Sequence, residues 1–574
     1  MKPTKLESNR EQLLAVQGQG VAKKFGVYFR LSGPGWLQSA ITLGGGTLGS
    51  TLYLGMLSGT GMLWLQILAI IIGVIMLSAI SYVTLSTGKR PFAAINEHIN
   101  PVLGVGWVAA TILANMIWIM PQFSLCYDSI QTCLGGTSDS NTSRITISLV
   151  LGVLALAIVA MNCQPGKLSK IFDWGLKSMV GFVVVCFVLV VVTLAIRDSL
   201  NWTEIIGGYV PNLKYWSNPS QAVQQALSNT PAEIKQWWAD QIVARQQSSM
   251  VSVTATAVGL NMTFLLPYSL LIRGWDKPFR GLARFDLIGA LAIPFIIVTS
   301  CIVIASAHAF HAKADANLLS GNPEQVKASM FFNEARKLAE SRIGYMNEPT
   351  VLAEFESLSE PAKTDWLAAY LANLEPDELR VMATLIKPNS RQLATTLAPL
   401  LGETNANLVF GLGALAMAFS TIVILMMING FAIAEIIDRY DSVVWRLVGS
   451  AMAMLVGIFW WQIWQGESQT WLVVVASTFG AILLPIAYIS FFAMMNNARL
   501  LQTDIPRGRN RWLWNLLMGV GVCGALVQAY VALVICAEDA ATGRFVLGGV
   551  AMFALLALIG FAARKRESLN QREV

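Results

Sequence analysis

The chain has 574 residues, of which 55% are hydrophobic and 13% charged, with a net charge of +6 and a mean hydropathy of +0.56. Soluble domains carry about 25% charged residues, so this composition excludes a soluble enzyme and describes a polytopic membrane protein. The basic residues sit in short links between apolar runs, where they set topology, so the positive charge implies no nucleic-acid partner.

The first thirty residues are polar and mixed in charge, with Lys2, Lys5, Arg10, Lys23, Lys24 and Arg30. They lack the pattern of a cleavable signal peptide, and residues 1–32 read as a tail. Twelve apolar runs follow, each close to or above the roughly 20 residues needed to cross a bilayer. The predicted spans are 33–58, 61–84, 102–130, 145–162, 174–196, 251–272, 285–311, 406–436, 444–464, 470–496, 512–536 and 543–563. They group into membrane domains at 33–311 and 405–563, with a second tail at 564–574.

Span 1 holds Gly44-Gly45-Gly46-Thr47 at its middle. Glycine inside a helix costs about 1 kcal/mol relative to alanine, and three together predict a break. Lipid cannot satisfy the freed backbone, so a break at membrane depth is tolerated where it is buried in protein or lines a wet cavity. Close helix packing is the alternative use of such small residues. Asn115 and Gln122 lie inside span 3 and are candidates to line a path.

Between spans 5 and 6 lies a longer segment, 197–250. Its Thr230-Pro231-Ala232-Glu233 has the form of a capping box with proline at the first helical position. It predicts a short amphipathic helix with Trp237 and Trp238 near the interface. Span 6 is predicted to be interrupted at Gly259 and at Leu266-Pro267-Tyr268, with Asn261 and Thr263 as further path candidates. His308 and His311 at the end of span 7 share a helix face at i, i+3 and are candidates for metal capture at the mouth. Residues 312–404 are charged, lack a long apolar run, and read as a small helical insertion with helix starts at Ser359-Glu360-Pro361 and Glu375-Pro376.

The basic links Lys89/Arg90, Lys167/Lys170, Arg273 to Arg284, Arg439/Arg446 and Arg499 to Arg511 all fall on the side of the basic N-terminus. That asymmetry places both termini in the cytoplasm and segments 197–250 and 312–404 outside. A bacterial inner membrane or a plasma membrane suits this arrangement. Spans 1 and 6 each open a run of five and both are interrupted, the mark of an inverted repeat with its substrate site at the breaks.

Gly33-Pro34-Gly35 opening span 1, Leu266-Pro267-Tyr268 in span 6, and the span 7 end CIVIASAHAFH resemble the Nramp (natural resistance-associated macrophage protein) metal transporters. So do LAPLLG at 396, the run GLGALAMAFSTIVILMMINGFAIAEII in span 8 and LLPIAYISFFAMM in span 10. The resemblance implies an all-α leucine-transporter-type fold with inverted five-helix repeats and a metal cation as substrate. It also implies departures. The family's metal-binding Asp-Pro-Gly-Asn falls on Gly44, Gly45, Gly46 and Thr47, and its Met-Pro-His on Leu266, Pro267 and Tyr268. A second family histidine falls on Arg273, the proton-transferring acids of span 3 fall near Gln122 and Leu125, and a span 10 glutamine falls near Ser477.

The expected function is therefore an Nramp-like secondary transporter of a metal cation, Mg²⁺ or another divalent ion, working without the usual proton relay. Two alternatives stand beside it. One is a carrier for a small organic anion or amino acid, held by bare N–H groups at the glycine-rich break. The other is a non-transporting membrane sensor whose insertion binds a partner. No catalytic constellation, cofactor motif or mark of oligomeric state is legible; the partners implied are the bilayer and a small solute or ion.

Overall fold

The protein is described here by a computed structural model covering residues 5–16, 18–133, 140–163, 167–197, 199–347, 349–387, 392, 403–463, 472–537 and 540–573. Two N-terminal helices, α1 (Lys5–Val16) and α2 (Val21–Leu31), form a hairpin in which the Arg30 guanidinium donates to the Gln12 amide oxygen. Span 1 is two helices, α3 (Pro34–Thr42) and α4 (Gly45–Ser58). Spans 2 to 5 are α5 (Leu63–Thr87), α7 (Pro101–Cys133), α8 (Asn141–Asn162) and α9 (Lys167–Ile196), with α6 (Pro91–His98) in the link after span 2.

Two short helices, α10 (Trp202–Gly207) and α11 (Gln221–Ser228), lead to α12 (Ala232–Ala257), which meets α13 (Leu260–Ile272) at a second break. Span 7 combines α14 (Arg280–Asp286), a π turn at Leu287–Ala292 and α15 (Ile293–Phe310). The insertion carries α16 (Pro323–Ala328), α17 (Phe332–Met346), α18 (Pro349–Ser357), α19 (Glu360–Ala372) and α20 (Pro376–Thr384). Spans 8 to 12 are α21 (Glu403–Ile436), α22 (Val443–Ile458), α23 (Leu472–Met495), α24 (Gly508–Ala537) and α25 (Ala540–Glu573).

Among the described residues there is no strand, and nine helices are long and apolar enough to cross a membrane. Two shorter apolar helices, Val443–Ile458 and Val546–Ala562, and the α3–α4 pair bring the spans to twelve. At the middle, α21 packs along α7 and α22, while α4 packs against α15 and α12. Trp107, Phe123, Phe264, Phe295 and Phe491 are fully buried there.

Three local expectations are corrected. The helix that starts after Pro231 is not short: α12 runs unbroken from Ala232 to Ala257, so the end of segment 197–250 and the first half of span 6 are one rod. Thr230 does not cap it, because its hydroxyl turns back to the Leu227 carbonyl at 2.8 Å, and Pro231 takes the N-cap position. Trp238 is buried rather than interfacial, its indole N–H donating to Glu378 at 2.9 Å. Glu378 also takes Arg342 at 2.6 Å and is itself 1% exposed, so this carboxylate ties α20, α17 and α12 together.

Candidate substrate site between the two helix breaks

The break in span 1 lies one step earlier than the glycine run suggests. The residues outside helical geometry are Leu43 (φ −82°, ψ 50°) and Gly44 (φ −101°, ψ −179°), while Gly45, Gly46 and Thr47 form the first turn of α4. Gly44 is required by close approach: a Cβ there would run into the Thr421 hydroxyl of α21 and lie 2.9 Å from the Ile41 carbonyl. The interruption in span 6 is at Val258 (φ −144°, ψ 99°) and Gly259. No break occurs at Leu266-Pro267-Tyr268: α13 passes through Pro267. Proline forfeits one backbone hydrogen bond, and a buried helix absorbs that loss without parting.

Each break leaves backbone groups that must be satisfied within the protein. The Thr47 hydroxyl donates to the Thr42 carbonyl across the first break. The Ala40 carbonyl accepts from Ser420 at 3.1 Å and Thr421 at 3.5 Å, both on α21. Gly45 N–H donates to the Gln122 amide oxygen at 3.0 Å, so α7 supplies a cap for α4. The Thr42 hydroxyl donates to the Met262 sulfur at 3.1 Å, joining the end of α3 to the first turn of α13. Ser50 and Thr256 hydroxyls meet at 3.2 Å, and the Asn261 amide donates to Asn115 at 3.0 Å.

The space between the breaks is occupied by the indole of Trp118. Its N–H donates to the Ala476 carbonyl of α23 at 2.8 Å. A Cβ added at Gly46, Gly259 or Gly480 would lie 3.9, 3.5 or 2.9 Å from its ring. Three glycines on three elements thus make the recess into which one tryptophan fits. The sequence singled out Gly46 and Gly259 but not Trp118, Thr42 or Met262. A methionine three residues beyond Gly259 was the available signal for the last.

Gly44, Gly45, Gly46, Thr47, Gln122, Asn115 and Asn261 therefore gather around the breaks. Thr263 lies one turn into α13 and accepts the Trp107 indole N–H at 3.1 Å. Ser477 is buried, with its hydroxyl returned to the Val473 carbonyl of its own helix at 2.7 Å. Leu266, Pro267 and Tyr268 sit about 10 Å further along α13 at 1.5 Å per residue. Tyr268 stacks there on Phe264 at 4.4 Å between ring centres and faces Tyr440 at 5.5 Å.

Arg273 caps the far end of α13 and pairs with Asp173 of α9 at 2.9 Å, close against Gly33. Beside it, Asp286 accepts from the Ser32 hydroxyl and from Gly33 and Gly35 N–H groups at 3.2 and 2.5 Å, capping α3. These contacts tie the start of α3 to α9 and α14. Glu435 and Asp438 at the end of α21 are held by Arg90 at 3.1 and 3.4 Å. Of the two candidate histidines at the end of span 7, His308 and His311, the latter has both ring nitrogens engaged, Nδ1 with the Met56 carbonyl at 2.8 Å and Nε2 with the Ser220 hydroxyl at 2.8 Å.

Among the described residues no group of three or more His, Cys, Asp or Glu side chains stands close enough to hold a metal. The donors at the breaks are neutral: the Thr42 carbonyl and hydroxyl, the Thr47 hydroxyl, the Gln122 amide and the Met262 thioether. The C-terminal ends of α3 and α12 add negative dipole ends there, and the N-terminal ends of α4 and α13 add positive ones.

Solved structures share this architecture. The Eremococcus coleocola manganese transporter, in complex with an aromatic bis-isothiourea substituted compound, superposes with a TM-score of 0.61 at 11% identity, covering 96% of this chain and 97% of that one. A histidine-to-alanine mutant and a glutamate-to-glutamine mutant of the same transporter give TM-scores of 0.60 and 0.61 at 12% identity, with the same coverage. The two runs of five spans, each opened by a broken helix, are the leucine-transporter-type inverted repeat. By sequence, the chain matches none of the curated proteins with which it was compared. The family profile described as natural resistance-associated macrophage protein-like matches residues 35–327 and 380–535, leaving much of the insertion outside it. With most of its length matched, the chain belongs to the Nramp family.

Proposed function

We propose that the protein is a secondary transporter that carries a divalent cation across the membrane by alternating access, without the family's proton relay. The observation that carries the reading is the bridge between the breaks, Thr42 to Met262 at 3.1 Å with Thr47 on the Thr42 carbonyl. It puts carbonyl, hydroxyl and thioether donors where four helix ends converge. Oxygen donors suit hard cations, and thioether tilts a site towards softer transition metals. With no carboxylate in the set, full dehydration of a divalent ion is too costly, so the ion keeps part of its water. Gln122 stands where proton-transferring acids would be, and an amide does not titrate.

A second reading rests on one contact. The Gln122 amide oxygen sits on Gly45 N–H at 3.0 Å, the place a substrate carboxylate would take at a helix N-terminus. If Gln122 swings aside, a small organic anion or amino acid replaces it. Proteoliposome uptake of Mn²⁺, Mg²⁺ and a panel of amino acids, with and without a pH gradient, separates the two. The proposal expects divalent flux indifferent to the pH gradient. Proton-driven flux would overturn the missing relay, amino-acid flux would select the second reading, and no flux of any solute would favour the sensor.

A further inference from the structure

A crevice of about 270 Å³ lies away from the breaks, between α5, α12, α23 and α24. Its lining includes Trp64, Leu68, Val251, Val258, Gly524 and Gln528. It runs from the ends of the spans on the insertion side, where Leu213 and Trp216 border it, down to Val258, the residue at which span 6 breaks. Leu68 and Val527 on its margin are 45% and 63% exposed. Exposed apolar residues on spanning helices face hydrocarbon, so the crevice continues the lipid-facing surface of the bundle.

The walls offer a polar ligand little. The Thr254 hydroxyl is returned to the Met250 and Val251 carbonyls at 3.0 and 2.9 Å. The Gln528 amide N–H donates to the Val251 carbonyl at 3.1 Å. The indole N–H of Trp64, 7% exposed, has no acceptor in the protein, and the Asn212 and Tyr488 side chains add further polar groups to the lining. An orphaned buried donor at the end of an apolar slot calls for an amphiphile with an acceptor oxygen at the head of a hydrocarbon chain.

We propose that this crevice binds one diacyl phospholipid from the leaflet on the insertion side. One acyl chain lies along α12 towards Val258, and an ester carbonyl accepts from the Trp64 indole. The lipid thereby braces the first half of span 6 at its break.

The test uses the full chain, delipidated in detergent and titrated with a diacyl phospholipid under native mass spectrometry. The wild type is expected to fill one site before the rest. Gly524→Phe enters the open space, since a Cβ there meets nothing within 4 Å, and is expected to abolish that first site. Trp64→Phe keeps the ring and removes the donor, and should weaken first-site binding about fivefold, the size of one neutral hydrogen bond. A dialkyl ether analogue should bind the wild type more weakly and be indifferent to Trp64→Phe. Graded uptake with no first site, meaning annular lipid only, would overturn the proposal. So would unchanged first-site binding in Gly524→Phe, or, should that variant misfold, in Trp64→Phe.

Discussion

Thr47 illustrates how a single side chain holds the site. Its hydroxyl gives the Thr42 carbonyl a partner across the first break, and Thr47→Val keeps the shape while removing it. Leaving a buried acceptor unsatisfied costs about 1–3 kcal/mol, so the unfolding free energy in denaturant should fall by that amount. Gly44 makes the opposite point, since a methyl group there meets the Ile41 carbonyl and the Thr421 hydroxyl. Gly44→Ala should lose about 1–3 kcal/mol to overpacking. Gly519→Ala, where nothing lies within 4 Å of the new Cβ, should gain up to about 1 kcal/mol from helix propensity. At this scale the sequence was half legible. A glycine run raises the cost of helix wherever it stands, so a break nearby could be read. Its register could not, because Gly44 is singled out by a hydroxyl on α21. Trp118 and Met262 looked like ordinary core residues, and only the tertiary fold brings them to the breaks.

Among elements, α12 is the instructive one. The sequence divides it at the change from polar to apolar residues near position 251, but a helix is not bound to change where its solvent does. As one rod it joins the insertion, through Trp238 and Glu378, to the break at Val258. Breaking a buried ion pair from one side costs about 3–5 kcal/mol. Glu378→Ala should therefore open residues 312–387 to limited proteolysis under conditions in which the wild type resists. Pro267 taught the converse, since proline reads as a break and α13 passes through it.

The link after span 10 gives a pH prediction. Asp504 binds Lys277 at 2.5 Å and Arg280 at 2.9 Å, joining it to the link after span 6. The Lys277 hydrogen bond above all, with Arg280 adding to it, holds this carboxyl below the ordinary aspartate value. A depressed carboxyl contributes stability above its unfolded pKa and loses it as pH falls through the folded one. The thermal midpoint of Asp504→Asn should therefore lie below that of the wild type at neutral pH. The difference should vanish in acid below the ordinary aspartate range.

For the whole molecule, twelve spans were legible because each must bring its own apolar run to the bilayer. The inverted repeat was legible because both halves open on an interrupted helix. The contacts around the start of α3 were not, since they depend on pairings far apart in the chain: Arg273 with Asp173, and Asp286 with Gly33 and Gly35. The central claim is that a divalent cation passes between the breaks and is held by neutral donors that include the Met262 thioether. Mn²⁺ uptake into proteoliposomes at equal pH on both sides tests it, comparing wild type with Met262→Ala. The account predicts accumulation by the wild type and a loss of at least about fivefold in the variant, the size of one lost ligand contact. Equal uptake by the two proteins, or a wild type inert to Mn²⁺ and Mg²⁺ alike, would contradict it.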